Sequence, residues 1–468
     1  MAYRTVNPAT GAEEAHFETI SDTDLSLQVD ASEDCFANDW PARPVSERAQ
    51  ILKRAAAMMR DERQTLAETM TRDMGKLVAQ GYGEILLSAA ILDYYADKAA
   101  DFLKPRELPG APGAMLHPRP LGIILAVEPW NFPYFQLARV VAPQLMAGNV
   151  VLAKHASNVP RCALAFEDIM RRAGIPAGAY ANLFATREQL EGLLDDPRIR
   201  GVTLTGSEAA GASVAERAAR NLKKSVLELG GSDALIVLED APIEATVQNA
   251  MVGKMNNCGQ SCVATKRMIV VGEERGRVFL AAMTTAMQSL VAGDPLDPAT
   301  TLAPVSSETA LQGLLRQIEA AEAAGARIAL GGKRIDRPGS YLEPTIIADI
   351  APDNPVFAQE IFGPVLSFHV VADEAAAIKL ANATPFGLGG SVFTADIERG
   401  ERVALALESG MAFVNHPTWS TPQMPFGGIK NSGYGRELSE LGFGEFLNWK
   451  LVATSPAGAP PPGADAAG

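Results

Sequence analysis

Apolar and polar residues alternate along this chain with two periods, and the change from one to the other outlines its architecture. Residues 48–59 repeat apolar positions at helical spacing, 65–74 do the same and stop at Gly75, and a third helical run covers 84–103. Pro105, Pro109, Pro112, Pro118 and Pro120 then break regularity. Beyond them, short apolar runs predict strands at 122–127, 149–154, 180–184, 201–205 and 224–229. Between these strands the pattern predicts helices at 136–147, 160–173, 187–194 and 208–221. A second cycle opens with a strand at 234–238, followed by a helix from residue 243, a strand at 268–271 and a helix over 277–290. It runs on past Gly293-Asp294-Pro295 through an Ala-rich helix near 311–324. Such alternation predicts parallel sheets covered on both faces, so the fold class is α/β with two domains and no internal repeat. Residues 455–468, built only of Ser, Ala, Gly, Pro and Asp, read as a disordered tail.

Composition narrows the function. A chain of 468 residues suggests two or three domains on a prior of ~150 residues each. Lys+Arg 41 against Asp+Glu 55 gives a net charge of −14, which argues against nucleic acid or an anionic membrane as the main partner. The start lacks the apolar core of a signal peptide, and the uncharged stretch 140–153 is too short to span a bilayer. Four cysteines in so long a chain are not a disulfide framework. A cytoplasmic enzyme fits these properties.

Candidate chemistry concentrates in a few turns. Cys262 ends the hydrophilic approach Asn257-Cys258-Gly259-Gln260-Ser261, whereas core cysteines usually sit in apolar runs; Cys35 and Cys162 lie in helical patterns and read as structural. A thiol on such a turn can act as a nucleophile. Glu228 interrupts the apolar run 226–229 just before Gly230-Gly231, at the end of a predicted strand where open α/β sheets place their sites. Burial between leucines would raise its pKa and make it a proton acceptor near neutral pH, while a solvated face is the plainer alternative. Asn131 lies in the Pro-bracketed turn Pro129-Trp130-Asn131-Phe132-Pro133, where a fixed amide can stabilise an oxyanion or simply bond its own backbone. Gly206-Ser207 joins a strand to a helix and offers a phosphate seat at the helix N-terminus, although no G-x-G-x-x-G is present. Lys154 follows another strand and suits ribose or phosphate, or is merely solvated; the spacing of His155 suggests no metal site.

Together these segments resemble the NAD(P)-dependent aldehyde dehydrogenase superfamily over nearly the whole chain. The resemblance runs from Val6-Asn7-Pro8-Ala9-Thr10-Gly11 through the 128–133, 228 and 262 blocks to Glu360-Ile361-Phe362-Gly363-Pro364, Pro425-Phe426-Gly427-Gly428 and Ser432-Gly433-Tyr434-Gly435-Arg436-Glu437. Within it, Lys154-His155-Ala156-Ser157-Asn158-Val159 and Glu228-Leu229-Gly230-Gly231-Ser232-Asp233 look like bacterial succinate-semialdehyde dehydrogenases. It implies attack of the Cys262 thiolate on an aldehyde, an oxyanion held by Asn131 and the Cys262 N–H, hydride transfer, and thioester hydrolysis with Glu228 as base. It further implies that Lys154 holds the adenine ribose, Trp130 with the Gly206-Ser207 turn lines the dinucleotide site, and Glu360 and Phe362 position the nicotinamide ribose.

Ser157 stands where many NAD-preferring relatives carry Glu, so NADP is expected to be accepted, with NAD as a second cofactor. Arg139, set among apolar neighbours eight residues after Asn131, would clamp a carboxylate at the far end of the substrate, unless it snorkels or pairs with an acid. Ser261, Trp419 and Ser420 are further expected substrate contacts, and Cys258 is a candidate for a reversible disulfide with Cys262. The implied domains are a dinucleotide-binding unit (1–104 and 121–229), a catalytic unit (230–431) and bridging segments (105–120 and 432–454) whose strand pairing would make a homodimer or homotetramer. Glutarate semialdehyde, small neutral aldehydes, a CoA-acylating reaction and a non-catalytic structural role are the competing readings.

Overall fold

The computed structural model describes residues 3–463. Its centre is a six-stranded sheet in the spatial order Gly433–Tyr434, Lys224–Glu228, Ile199–Thr205, Ile123–Glu128, Val150–His155, Tyr180–Asn182. All neighbours run parallel except the first pair, which is antiparallel. The inner strands are buried on both faces, which is why they read as continuous apolar runs rather than alternating ones. Helix Pro133–Ala147 crosses behind them with every residue buried. It starts three residues before the predicted helix because Pro133 takes the first helical position, where its missing N–H costs nothing, and it ends on Gly148 at φ 97°.

A second sheet of seven strands has the order Arg327–Leu330, Thr345–Ala348, Val365–Val371, Arg267–Val271, Ala234–Val237, Gly390–Phe393, Phe413–Val414, with only the first pair antiparallel. Each sheet has its own apolar core. A third, antiparallel sheet joins Leu447–Ala453, Ala114–Pro120 and Arg106–Glu107. The proline-rich stretch is thus partly strand.

Two boundaries differ from the expected ones. Gly433–Tyr434, expected in a bridging segment, pairs with Glu228 and Leu227 as an edge of the first sheet. Leu388 and Phe426, expected in the catalytic unit, pack into the first core. Residues 455–463 form neither helix nor strand, with a turn closed by Ala459 N–H on the Pro456 carbonyl; the rest of the expected tail, 464–468, lies outside the described residues.

What the fold contributes to chemistry is register. Thr205 stands opposite Glu228, Val127 opposite Leu204 and Glu128 opposite His155, so the carboxyl ends of four adjacent strands come level at one edge.

Candidate active site

Asn131 sits in the turn between strand Ile123–Glu128 and helix Pro133–Ala147 and is buried. Its backbone carbonyl accepts hydrogen bonds from Lys76 Nζ at 2.9 Å and from Asn257 Nδ2 at 2.7 Å. Its side-chain Nδ2 donates to the Gln260 carbonyl at 3.2 Å. Lys76, itself fully buried, is ion-paired with Glu84, whose Oε1 receives the Tyr134 and Phe135 N–H groups at the start of the helix. The turn is therefore held from below by a buried ion pair and from the side by the loop that carries the thiol.

That loop is wound left-handedly. Asn257, Cys258 and Gly259 have φ of 53°, 55° and 73°. A Cβ on Gly259 would come within 2.1 Å of the Gly363 carbonyl oxygen, so only glycine fits. The Asn257 amide also donates to the Gln260 carbonyl at 3.0 Å, while Gln260 donates back to the Asn257 carbonyl and accepts the Ser306 N–H. Lys266 Nζ donates to the carbonyls of Ser261 and Cys262. All four cysteines are free thiols, and Cys262 is the only one not fully buried. Burial pushes its thiol up, opposed chiefly by the positive charges of Lys266 and Arg139.

Cys262 borders two cavities. One, of about 360 Å³, is lined by Trp130, Asn131, Gly206, Ser207, Glu360 and Phe362 among others. Ser207 caps helix Glu208–Arg220 by accepting the Ala210 N–H. Trp130 and Phe362 meet edge to face at 5.8 Å, and Glu360 accepts the Gly231 N–H at 3.1 Å and pairs with Lys266 at 2.9 Å. Lys154 and Ser157 line a separate cleft of about 800 Å³ together with Tyr3, Val127 and Ser213. Burial lowers the pKa of Lys154. An open helix N-terminus, a partly buried lysine with no carboxylate partner and a carboxylate near the thiol are a donor and acceptor set that suits a dinucleotide.

The other cavity, of about 320 Å³, has Phe135, Gln136, Arg139, Ser261, Trp419, Ser420 and Phe426 in its walls. Trp419 is 43% exposed. Arg139 is fully enclosed: its guanidinium pairs with Glu437, donates to Thr205 Oγ1 at 3.0 Å, and lies against the rings of Phe135 and Phe426. The plainer expectation, pairing with an acid, thus holds alongside a place in the cavity wall. Among the described residues Nε and Nη1 make no hydrogen bond, and of the two only Nε is ion-paired, with Glu437.

Glu228 does not line either cavity. Its carboxyl is buried without a hydrogen-bond partner among the described residues and packs against Gly427, where an added Cβ would come within 2.6 Å of Oε1. Desolvation, then repulsion by Glu437, pushes its pKa far above the usual carboxylate range, with Arg139 opposing. The raised pKa expected from burial between leucines is present, in a carboxyl that lies outside the walls of both cavities that Cys262 borders. Glu128 joins the same buried cluster, raised by desolvation and by Glu437.

Cys258 corrects an expectation. Its thiol donates to the Ala303 carbonyl at 3.2 Å and belongs to the core of the second domain, whereas Cys262 packs against the first. Burial pushes the Cys258 thiol up to about 12. This placement gives no support to a disulfide between the two.

Lys76, Glu84, Asn257, Lys266 and Glu437 were not singled out from the sequence. Lys76 follows the Gly75 helix stop and Lys266 precedes Arg267, so both read as solvated charges; only their burial marks them. Among the described residues, no helix is long and apolar enough to cross a membrane, and no group of three or more His, Cys, Asp or Glu could hold a metal.

Comparison with known proteins converges on one family. Residues 1–452 match the aldehyde dehydrogenase family. The chain is 44% identical over 456 residues to an NADP(+) succinate-semialdehyde dehydrogenase of Deinococcus radiodurans, covering 97% of this chain and 95% of that one. A Mycobacterium tuberculosis protein of the same name is 42% identical over 456 residues, covering 97% and 99%. The crystal structure of succinic semialdehyde dehydrogenase from Streptococcus pyogenes with NADP+ superposes with a TM-score of 0.95 at 44% identity, covering 97% of this chain and all of that one. With a thiol between two cavities, an amide-bearing turn beside it and a match over almost its full length, the chain belongs to the aldehyde dehydrogenase family.

Proposed function

We propose that this protein oxidises succinate semialdehyde to succinate with NADP, accepting NAD as a second cofactor. The observation that carries the reading is the position of Cys262 between a cavity with one cation in its wall and a cleft suited to a dinucleotide. The names of the Deinococcus and Mycobacterium relatives and the NADP+ complex of the Streptococcus protein support the same substrate and cofactor.

In this reading the Cys262 sulfur adds to the aldehyde carbon, and the resulting oxyanion lies beside the Asn131 amide and the Cys262 N–H. Asn131 Nδ2 bonds the Gln260 carbonyl in the free enzyme, so oxyanion binding means exchanging one acceptor for a charged and stronger one. The bound dinucleotide supplies the hydride acceptor. Trp130, Gly206, Ser207, Glu360 and Phe362 would hold its nicotinamide half, and Lys154 and Ser157 its adenosine half; Ser157 places no negative charge against a 2′-phosphate. Glu228 then takes a proton from water as the thioester is hydrolysed, its raised pKa making it a stronger base than an ordinary carboxylate. Arg139, through Nη1 or by exchanging Glu437, would receive the substrate's distal carboxylate, with Ser261, Trp419 and Ser420 completing the wall. The edge of the sheet formed by Leu447–Ala453 and Ala114–Pro120 would join subunits into a homodimer or homotetramer of a cytoplasmic enzyme.

The test is a kcat/KM panel over succinate semialdehyde, glutarate semialdehyde and butanal, each with NAD and NADP and with or without CoA. Succinate semialdehyde with NADP should lead, with no requirement for CoA, and Cys262→Ala should be inactive. A preference for butanal, CoA-dependent turnover or an active Cys262→Ala enzyme would overturn the assignment.

A further inference from the structure

Lys266 lies directly behind the nucleophile and precedes strand Arg267–Val271. It is 2% exposed. Its ammonium reaches the carbonyls of Ser261 (2.6 Å) and Cys262 and pairs with Glu360 Oε1 at 2.9 Å, 5.7 Å from the centre of the Phe362 ring. Its backbone is held on both sides, its N–H by the Asp233 carbonyl and its carbonyl by the Ser367 N–H. Two buried carbonyl groups need donors but not a charge, and an amide side chain would serve them at a smaller desolvation cost. A cation in this place therefore calls for a reason beyond holding the loop.

The charges around the Cys262 thiol supply one. Lys266 and Arg139 face it with positive charge, Glu360 and Asp233 with negative charge. Arg139 is already engaged by Glu437, and Asp233 accepts hydrogen bonds from Gly389 N–H and Thr418. The buried Lys254 lies within reach of the Lys266 charge; its Nζ has no hydrogen-bond partner among the described residues, and burial lowers it to about 7. Lys266 is the cation bonded to the nucleophile's own backbone, and Glu360 is its direct counter-ion.

We propose that Lys266 is a positioning residue that stabilises the Cys262 thiolate, with Glu360 moderating its charge. The proposal rests on the reading of Cys262 as the nucleophile. Glu360 thereby acts twice, because whatever engages that carboxylate also changes how much of the Lys266 charge reaches the sulfur.

The experiment is alkylation of the cofactor-free, full-length enzyme by iodoacetamide from about pH 6 to about pH 10. The thiolate sulfur bonds the CH2 carbon as iodide leaves, and the thiol proton passes to buffer. Cys262→Ala identifies the labelled site. Lys266→Met should move the alkylation midpoint to higher pH and slow labelling at neutral pH by about tenfold, while leaving the high-pH plateau unchanged. Lys266→Arg should restore the parent midpoint. Glu360→Gln should move it the other way and speed labelling at neutral pH. A Lys266→Met profile that overlays the parent, or changes only in its plateau, would overturn the proposal. So would a Glu360→Gln midpoint that stays put or rises, and this variant decides the matter alone if Lys266→Met does not fold. Failure of the parent reading looks different: Cys262→Ala would then keep its dehydrogenase activity.

Discussion

Replacing Lys76 by Met tests whether the Asn131 turn is held by the ion pair beneath it. Methionine nearly matches the lysine stem in length and volume but donates nothing. The substitution removes a bond to Glu84, the 2.9 Å bond to the Asn131 carbonyl, and a cation 3.6 Å from the centre of the Phe132 ring. Breaking a buried pair by removing one partner costs about 3–5 kcal/mol. Glu84 keeps the N–H groups of Tyr134 and Phe135, so the loss should fall at the low end, about 3 kcal/mol. The Asn131 carbonyl likewise keeps the Asn257 amide, so the turn should shift rather than collapse. Complete removal of an oxyanion donor costs about 10²–10³ in kcat; a displaced donor should cost about ten- to a hundredfold. Steady-state assays following the reduced dinucleotide should show this fall in kcat with KM for aldehyde and cofactor changed by no more than about twofold. The double variant Lys76→Met/Glu84→Gln should regain stability, because no carboxylate is then left unpaired, but not kcat. A Lys76→Met enzyme with parental kcat would refute the argument, as would a loss that falls entirely in KM.

Other outcomes follow from the same geometry. Glu228→Gln should lower the steady-state rate by about 10²–10⁴, with the first turnover much less affected and acyl-enzyme accumulating; an unchanged steady-state rate would remove Glu228 from the mechanism. Ser157→Glu should reduce kcat/KM for NADP by about two orders of magnitude while leaving that for NAD nearly unchanged, since only the 2′-phosphate meets the new charge. Cys258→Ser should leave peroxide inactivation as it is, because the Cys258 thiol is bonded to Ala303 away from Cys262; protection by this variant would restore the switch. Burial lowers His155 to about 4, so the native state holds it neutral while the unfolded chain binds a proton below its ordinary pKa of 6.5. Its stabilisation is complete above that value and disappears as pH falls toward 4, about 3 kcal/mol in all. Urea midpoints between neutral and acid pH should therefore decline less steeply in His155→Gln than in the parent.

Periodicity made the first domain legible because its strands are buried on both faces and separated by helices with strong punctuation, as at Pro133 and Gly148. The later strands of the second sheet, four residues long at Thr345–Ala348 and Gly390–Phe393, leave too little pattern to separate them from loops. Among site residues, Cys262, Asn131 and the Gly206-Ser207 turn stood out because their surroundings are locally unusual. Lys76, Glu84 and Lys266 did not: a charged side chain next to other polar residues looks solvated until distant segments close over it. Nor does a strand pattern report where a side chain's end points, which is why Glu228 was placed at the right edge while its distance from the cavity went unforeseen.

The edge strand Gly433–Tyr434 has a consequence for how the molecule is made. It lies more than two hundred residues after the Leu227–Glu228 strand it completes. The same late stretch of chain seals the first core with Leu438, Phe443 and Leu447, and lends the Phe446 carbonyl to Asn149. While the ribosome is still working through the second domain, the first has five of its six strands but lacks helix Ser439–Gly444 and its last apolar covering. The half synthesised first must therefore wait, partly open, until the second half has been made. A fragment ending near residue 230 should on this account be an aggregating protein rather than a free-standing nucleotide-binding module.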